Sequence, residues 1–142
     1  MNEWDLPEGI VTVGGGDTRF DSVRNGLRAL VDAEGFVSVH DAVRPLVSAE
    51  LIARVFEGAE KEGNAVPVVQ VNESIRRVEE SGSSAVVRDA MRIVQTPQCF
   101  RLAELRAAYE QPNDTSFTDC ATVMEKAGHE IHLVNGEDGT SS

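Results

Sequence analysis

Asp41 and Arg44 lie in the run His40-Asp41-Ala42-Val43-Arg44-Pro45, directly after a short apolar stretch. A carboxylate and a guanidinium make a poor core, because each loses its water on burial. They are well suited to hold a charged substrate or a metal–phosphate group. The competing reading is a surface ion pair of little energetic weight, and this run alone leaves the two balanced.

Gly14-Gly15-Gly16-Asp17 is a second candidate. Glycines let backbone N–H groups approach a ligand, and a helix N-terminus favours anions. The same residues also make an ordinary strand-to-helix turn, and they match neither G-x-x-x-x-G-K-[ST] nor G-x-G-x-x-G. Arg76, Arg77, Arg88 and Arg92 form a third group. These guanidiniums either clamp a phosphate or cover a solvated face. Gln95-Thr96-Pro97-Gln98 reads as a loop lining a site or as a polar turn, and Thr118-Asp119 as a helix cap. No Ser–His–Asp set, G-x-S-x-G elbow or Cys–His pair is evident. That fits a reaction driven by positioning and charge neutralisation, such as phosphoryl or nucleotidyl transfer. Cys99 and Cys120 have no metal-binding spacing and read as buried free thiols, and His40, His129 and His132 form no metal set.

These groups need a frame. Residues 10–13 are a β-rich run ending at the glycines. Val23, Leu27, Leu30 and Val31 then recur at helical spacing, with Ser22 as candidate cap and Gly35 as stop. A strand over 36–40 puts Asp41 and Arg44 at a strand's carboxyl end, where open α/β sheets hold their ligands. Ser48 caps a helix carrying Leu51, Ile52, Val55 and Phe56 on one face and ending at Gly63. Residues 65–69 form a strand that Pro67 assigns to a sheet edge or a strand start. Segments 74–78 and 85–88 flank a turn over 80–83 as a hairpin with no core to cover, suited to pack on another subunit. A strand over 91–95, a turn over 96–98, and a helix over 102–109 with Glu104 and Arg106 exposed come next. A helix over 118–127 stopped by Gly128, a strand over 131–134 and a loose polar tail follow. This alternation predicts a mostly parallel sheet covered on both faces.

The 142 residues suit one domain, and 24 acidic against 13 basic side chains leave a net charge of −11. That balance argues against wrapping a nucleic-acid backbone but not against a small anionic ligand. No apolar run approaches membrane-spanning length and the acidic N-terminus has no hydrophobic h-region, so a cytoplasmic protein is expected.

Taken in order, several segments resemble one family, 2-C-methyl-D-erythritol 4-phosphate cytidylyltransferase of the non-mevalonate isoprenoid pathway. They are Gly15-Gly16-Asp17-Thr18-Arg19 with Asp21-Ser22-Val23 and Gly26-Leu27; His40-Asp41-Ala42-Val43-Arg44-Pro45; Val66-Pro67-Val68 leading into Glu73-Ser74-Ile75-Arg76-Arg77; Gln95-Thr96-Pro97-Gln98 with Phe100; and Thr118-Asp119. The resemblance implies a Rossmann-like nucleotidyltransferase fold of the nucleotide-diphospho-sugar transferase type. It also implies one partial domain over 1–142 and a homodimer joined by a protruding hairpin arm at about 72–92. In that family the sugar phosphate attacks the α-phosphate of CTP, and pyrophosphate leaves with Mg²⁺ help. Carried over by position, Gly16, Asp17 and Ser22 contact the cytosine and its ribose, and Asp41 and Ala42 lie at the ribose and the triphosphate–metal region. Asp41 is then both a catalytic residue and the metal-facing carboxylate. Ser74 and Arg88 reach the sugar phosphate of the other subunit, with Arg88 the catalytic group that positions the attacking oxygen. Arg44 and Thr96 support that pocket.

The sequence departs from the family pattern in several places. The family's opening strand and glycine-rich loop, with an Arg and a later Lys, have no counterpart, and a Lys expected near 140–142 is missing. Ser74 stands for the usual Thr, and Cys120 for an acidic residue. The chain therefore reads as a fragment with little or no activity alone. The competing readings are a pentitol-phosphate cytidylyltransferase, which shares several motifs, and a non-catalytic dimerisation or binding module.

Overall fold

The computed structural model describes residues 17–30, 34–40 and 47–137. The expected strand over 10–13, the glycines up to Gly16, and Asp41, Ala42 and Arg44 lie outside the described residues.

Helix α1, Arg19–Arg28, starts earlier than Ser22 suggests. Thr18 is extended and its hydroxyl accepts from Asp21 N at 3.2 Å, so it is the cap. Ser22 sits inside the first turns, its N–H on Thr18 O at 3.0 Å. The helix ends at Arg28, capped by Ala29. Gly35, at φ +93°, instead leads into strand β1, Phe36–Val39. Helix α2, Ala49–Glu62, follows the expected pattern. Ser48 Oγ accepts from Leu51 N at 3.0 Å, Leu51, Val55 and Ala59 are buried, and left-handed Gly63 (φ +98°) ends it. Ile52 lies on the outer face.

Strand β2 (Asn64–Gln70) is the centre of the sheet, not its edge. Strands β5 (Arg92–Val94) and β6 (Gln98–Arg101) are one segment broken at the cis Thr96–Pro97 bond, and both pair antiparallel with β2. The register slips by two residues across the break, from Val68↔Val94 to Ala65↔Cys99. Strand β7 (Leu133–Asn135) pairs parallel with β2 on its other side, and β1 pairs antiparallel with β6. So β1, β2 and β7 share one direction, as the βα alternation implies, and β5–β6 runs against them. The sheet is mixed around a parallel frame. Strand β6 begins at Gln98, where the sequence predicts only the end of a turn.

Pro67 is tolerated in this central strand because of where its missing donor falls. Val66 N–H points to β7, onto His132 O at 2.9 Å, so Pro67 faces the break. There its carbonyl accepts from Gln95 N at 2.8 Å, and Gln95 O takes a long bond from Gln98 Nε2, 3.4 Å, in place of a proline N–H.

Side chains alternate across the sheet with period two. Val66, Val68 and Phe100 face one core with Phe20 and Leu27 of α1, Leu102, Leu105 and Ala108 of α3 (Leu102–Ala108), and Cys120, Val123 and Met124 of α4 (Cys120–Lys126). Ala65 and Cys99 face the other, with Leu51, Val55 and Ala59 of α2. Both faces are thus covered, as expected. Glu104 and Arg106 are half-buried rather than exposed, because Arg106 reaches back to Leu27 O and Leu30 O behind α1. Asp119 caps α4, and Gly128 (φ +99°) follows its end. The two thiols are buried and free. Strands β3 (Arg76–Glu79) and β4 (Gly82–Ala85) form a separate two-stranded hairpin, exposed at every position. Among the described residues no helix is long and apolar enough to cross a membrane.

Candidate functional site

The break between β5 and β6 creates the site. It sets Thr96 beside the carboxyl end of β1, where Thr96 Oγ1 lies 3.1 Å from His40 Nδ1. The next turn of chain brings in Gln98, which is 1% exposed. Its Nε2 donates to Asp119 Oδ2 at 3.0 Å and its Oε1 accepts from Ala121 N at 3.2 Å. Asp119 Oδ1 meanwhile accepts from Thr122 N at 2.9 Å, and Thr122 Oγ1 closes a capping box. Two orphan donors of α4 are therefore capped, one by its own Asp119 and one by a glutamine from the sheet. With both oxygens engaged, Asp119 acts as an anchor.

A cavity of about 210 Å³ opens against these residues, lined by Arg19, Gln95, Thr96, Gln98, Thr118 and Asp119 among others. It is smaller than the ~300–1,000 Å³ of drug-sized sites. Its chemistry is one guanidinium, one carboxylate already bonded, two hydroxyls and two amides. That set suits a small polyhydroxylated anion: the guanidinium for the charge and the two hydroxyls for hydroxyl groups, while both amides are engaged within the protein. Beneath Arg19 lie two polar groups that burial keeps neutral. Arg19 Nη2 is 4.0 Å from Cys120 Sγ, and Tyr109 donates its hydroxyl to that sulfur at 3.2 Å. Desolvation pushes both acids up, the Cys120 thiol and the Tyr109 phenol alike. Among the described residues no ion pair neutralises Arg19.

Thr96 is thus in the pocket, as the sequence suggests. Asp17 is exposed just before Thr18, and Ser22 is half-buried on α1. Ser74 and Arg88 are exposed at the base of the hairpin, where Arg88 Nη1 donates to Asn72 O at 2.8 Å. Arg76 bonds Ser83 Oγ and Arg92 bonds backbone carbonyls of its own turn, so these two serve the hairpin surface. No described contact joins Ser74 or Arg88 to the Thr96 pocket within one protomer. Sequence reasoning gives Arg19, Gln98 and Thr118 no individual role in the site. Thr118-Asp119 does signal a cap, but the sequence carries no sign that this cap is also the pocket wall. A second cavity, about 530 Å³, lies at the opposite end of β1 between Phe36, Glu60 and Arg101.

Solved structures define the class. A crystal structure of 2-C-methyl-D-erythritol 4-phosphate cytidylyltransferase from Thermus thermophilus superposes with a TM-score of 0.78 at 37% identity, covering 94% of this chain and 68% of that one. The Francisella tularensis enzyme of the same name gives 0.84 at 28% identity, covering 95% and 66%. The fold is that of an α/β nucleotidyltransferase. The family model described as "IspD: 2-C-methyl-D-erythritol 4-phosphate cytidylyltransferase" matches residues 2–140. Curated relatives of that name from Phocaeicola vulgatus and Porphyromonas gingivalis are 48% identical over 122 residues and 46% over 135. The chain belongs to the 2-C-methyl-D-erythritol 4-phosphate cytidylyltransferase family. It spans 55% and 60% of the length of those two relatives, while they match 86% and 94% of it.

Proposed function

We propose that this chain provides the acceptor pocket and the cytidine-contacting edge of a cytidylyltransferase that joins CTP to 2-C-methyl-D-erythritol 4-phosphate, releasing pyrophosphate in isoprenoid biosynthesis. The observation that carries the reading is the pocket in which Thr96 and Thr118, distant in sequence, meet Arg19 and Gln98. The family match over residues 2–140 supports it.

In this reading Thr96, Thr118 and Arg19 hold the acceptor, with Arg44 in support. Gly16, Asp17 and Ser22 contact the cytosine and ribose, and Asp41 and Ala42 the ribose and triphosphate. Arg88 and Ser74 act across a homodimer, entering the partner's pocket from the hairpin, with Arg88 steadying the attacking phosphate oxygen. The exposed apolar side chains of that arm, Val78 and Val87 at 79% and 71%, support a partner surface. Among the described residues no group of three His, Cys, Asp or Glu could hold a metal alone. In this reading Mg²⁺ arrives on the nucleotide with Asp41 as its protein carboxylate, since Mg²⁺ favours phosphates plus one or two carboxylates. Such an ion supplies charge neutralisation for the leaving pyrophosphate.

Calorimetric titration with 2-C-methyl-D-erythritol 4-phosphate tests the acceptor assignment. Saturable binding is expected, weakened by Thr96→Val and by Thr118→Val, and stronger than binding of ribitol 5-phosphate. Absence of binding, or preference for the pentitol phosphate, overturns it.

A further inference from the structure

Gln95 is a buried polar group that the site chemistry does not use. It is 6% exposed and spans from the pocket wall to the chain leaving β7, 42 positions later. Its Nε2 donates to Glu137 O at 2.9 Å and its Oε1 accepts from Glu137 N at 3.0 Å. One side-chain amide thus pairs with both backbone groups of one residue, as a neighbouring strand would. A Cβ at position 136 would collide with Gln95 Oε1 and lie 3.2 Å from Val68 O, so a side chain there and the Gln95 amide in this position exclude each other. Gly136 N is itself held on Val68 O at 2.8 Å. Glu137 also accepts from Ser48 Oγ, the hydroxyl that caps α2.

The clamp sits where the sheet is weakest. Pro67 cannot complete the ladder opposite Gln95, so the segment carrying Thr96 lacks one backbone bond just where the register slips. The Gln95 amide replaces that restraint from the side. Thr96 is the next residue, and its hydroxyl lines the pocket.

We propose that Gln95 is a positioning residue for the acceptor. Through the Gly136–Glu137 turn it fixes the pocket wall that presents Thr96 to a polyol phosphate. The proposal rests on the acceptor-pocket reading above. A displaced positioning group loses its alignment with the ligand, and the effect is read here as a fall in acceptor affinity.

The experiment pairs amide hydrogen exchange at Glu137 with titration of 2-C-methyl-D-erythritol 4-phosphate, both on the full chain. In Gln95→Ala the Glu137 amide should exchange at least tenfold faster, and acceptor affinity should fall at least tenfold in the folded chain. Gly136→Ala, whose methyl would push the Gln95 amide off Glu137, should do the same, and it carries the test if Gln95→Ala fails to fold. The double variant should be no worse than the more affected single, because both act through one clamp. Val55→Ala, in the core on the other face of the sheet, should lower stability while leaving affinity intact; a purely structural Gln95 would show that same pattern. Faster exchange at Glu137 with unchanged affinity overturns the proposal. A wild-type chain that does not bind the acceptor defeats the acceptor-pocket reading, and the proposal with it.

Discussion

Replacing Gln98 by alanine isolates the contact that joins the sheet to α4. The side chain is 1% exposed and makes bonds to Asp119 Oδ2 at 3.0 Å, from Ala121 N at 3.2 Å, and a long one to Gln95 O at 3.4 Å. Loss of the bond to a carboxylate costs ~1.5–3 kcal/mol. Leaving a helix N-terminal donor uncapped costs a further ~0.5–2 kcal/mol. The third bond is too long to count. Because the cavity beside Gln98 is open, water recovers part of this, and the expected loss is ~2–4 kcal/mol. Urea unfolding at pH 7, followed by circular dichroism, measures it. The Gln98→Glu variant separates hydrogen bonding from volume. It keeps the shape and the acceptor for Ala121 N, but sets a second carboxylate against Asp119. It should therefore be at least as unstable as the alanine variant. A loss under ~1 kcal/mol for Gln98→Ala, or wild-type stability for Gln98→Glu, would refute the argument that polar satisfaction rather than packing holds this junction.

Two further predictions concern the arm and the core. Val78 is 79% exposed on β3, so Val78→Asp should change monomer stability by no more than ~0.5 kcal/mol; if the arm packs on a second copy, light scattering should show the dimer constant weakened at least tenfold, and an unaltered mass distribution would exclude the arm from the interface. The Cys99 thiol, with no exposed surface, is pushed up to about 11 by desolvation from an ordinary 9.0. A raised folded-state value means that its contribution is complete below pH 9.0 and is lost as pH rises towards about 11, since the unfolded thiol ionises first. Chemical denaturation across that interval should show a fall of ~3 kcal/mol that Cys99→Ala removes, and an identical slope in both proteins would count against burial as the cause.

Periodicity and punctuation make much of this fold legible. Ser48, the apolar stripe through Leu51 and Val55, and Gly63 define α2 without any tertiary information, because cap, stripe and left-handed stop all lie within one element, although Ile52 of the expected face turns outward and Ala59 joins the buried one. What the sequence hides depends on partners far along the chain. Pro67 reads as an edge residue unless one knows that its imide side faces a register slip. Strand β6 is only four residues long and runs straight into α3 at Leu102, so it offers no period of its own. Ser22 reads as the cap in the sequence because the apolar stripe begins directly after it, whereas the helix starts a turn earlier and Thr18 takes that place. The site follows the same rule. Thr96 is legible through its motif, whereas Arg19 and Thr118 enter the pocket only because α1 and α4 pack on the same face of the sheet.

Taken alone, the overall charge of −11 predicts repulsion of an anionic acceptor. Local chemistry answers this. Screening confines exposed carboxylates to an effect within ~10 Å, so the groups in contact with Arg19 decide what it can offer a ligand. Those groups are a thiol and a phenol, weak acids that are mostly neutral at pH 7 even in water, while the Asp119 carboxylate of the same cavity is already bonded to Gln98 and Thr122. An ionised Cys120, 4.0 Å away, would satisfy the guanidinium and leave a phosphate little to gain. Burial opposes this by raising both groups, and it outweighs the hydroxyl that Tyr109 donates to the sulfur at 3.2 Å, which by itself favours the thiolate. The apolar packing of Phe20 on Tyr109, rings 4.8 Å apart, therefore has an electrostatic consequence. It adds to the desolvation that holds the thiol and the phenol neutral even at raised pH, and Arg19 keeps its charge at the cavity wall.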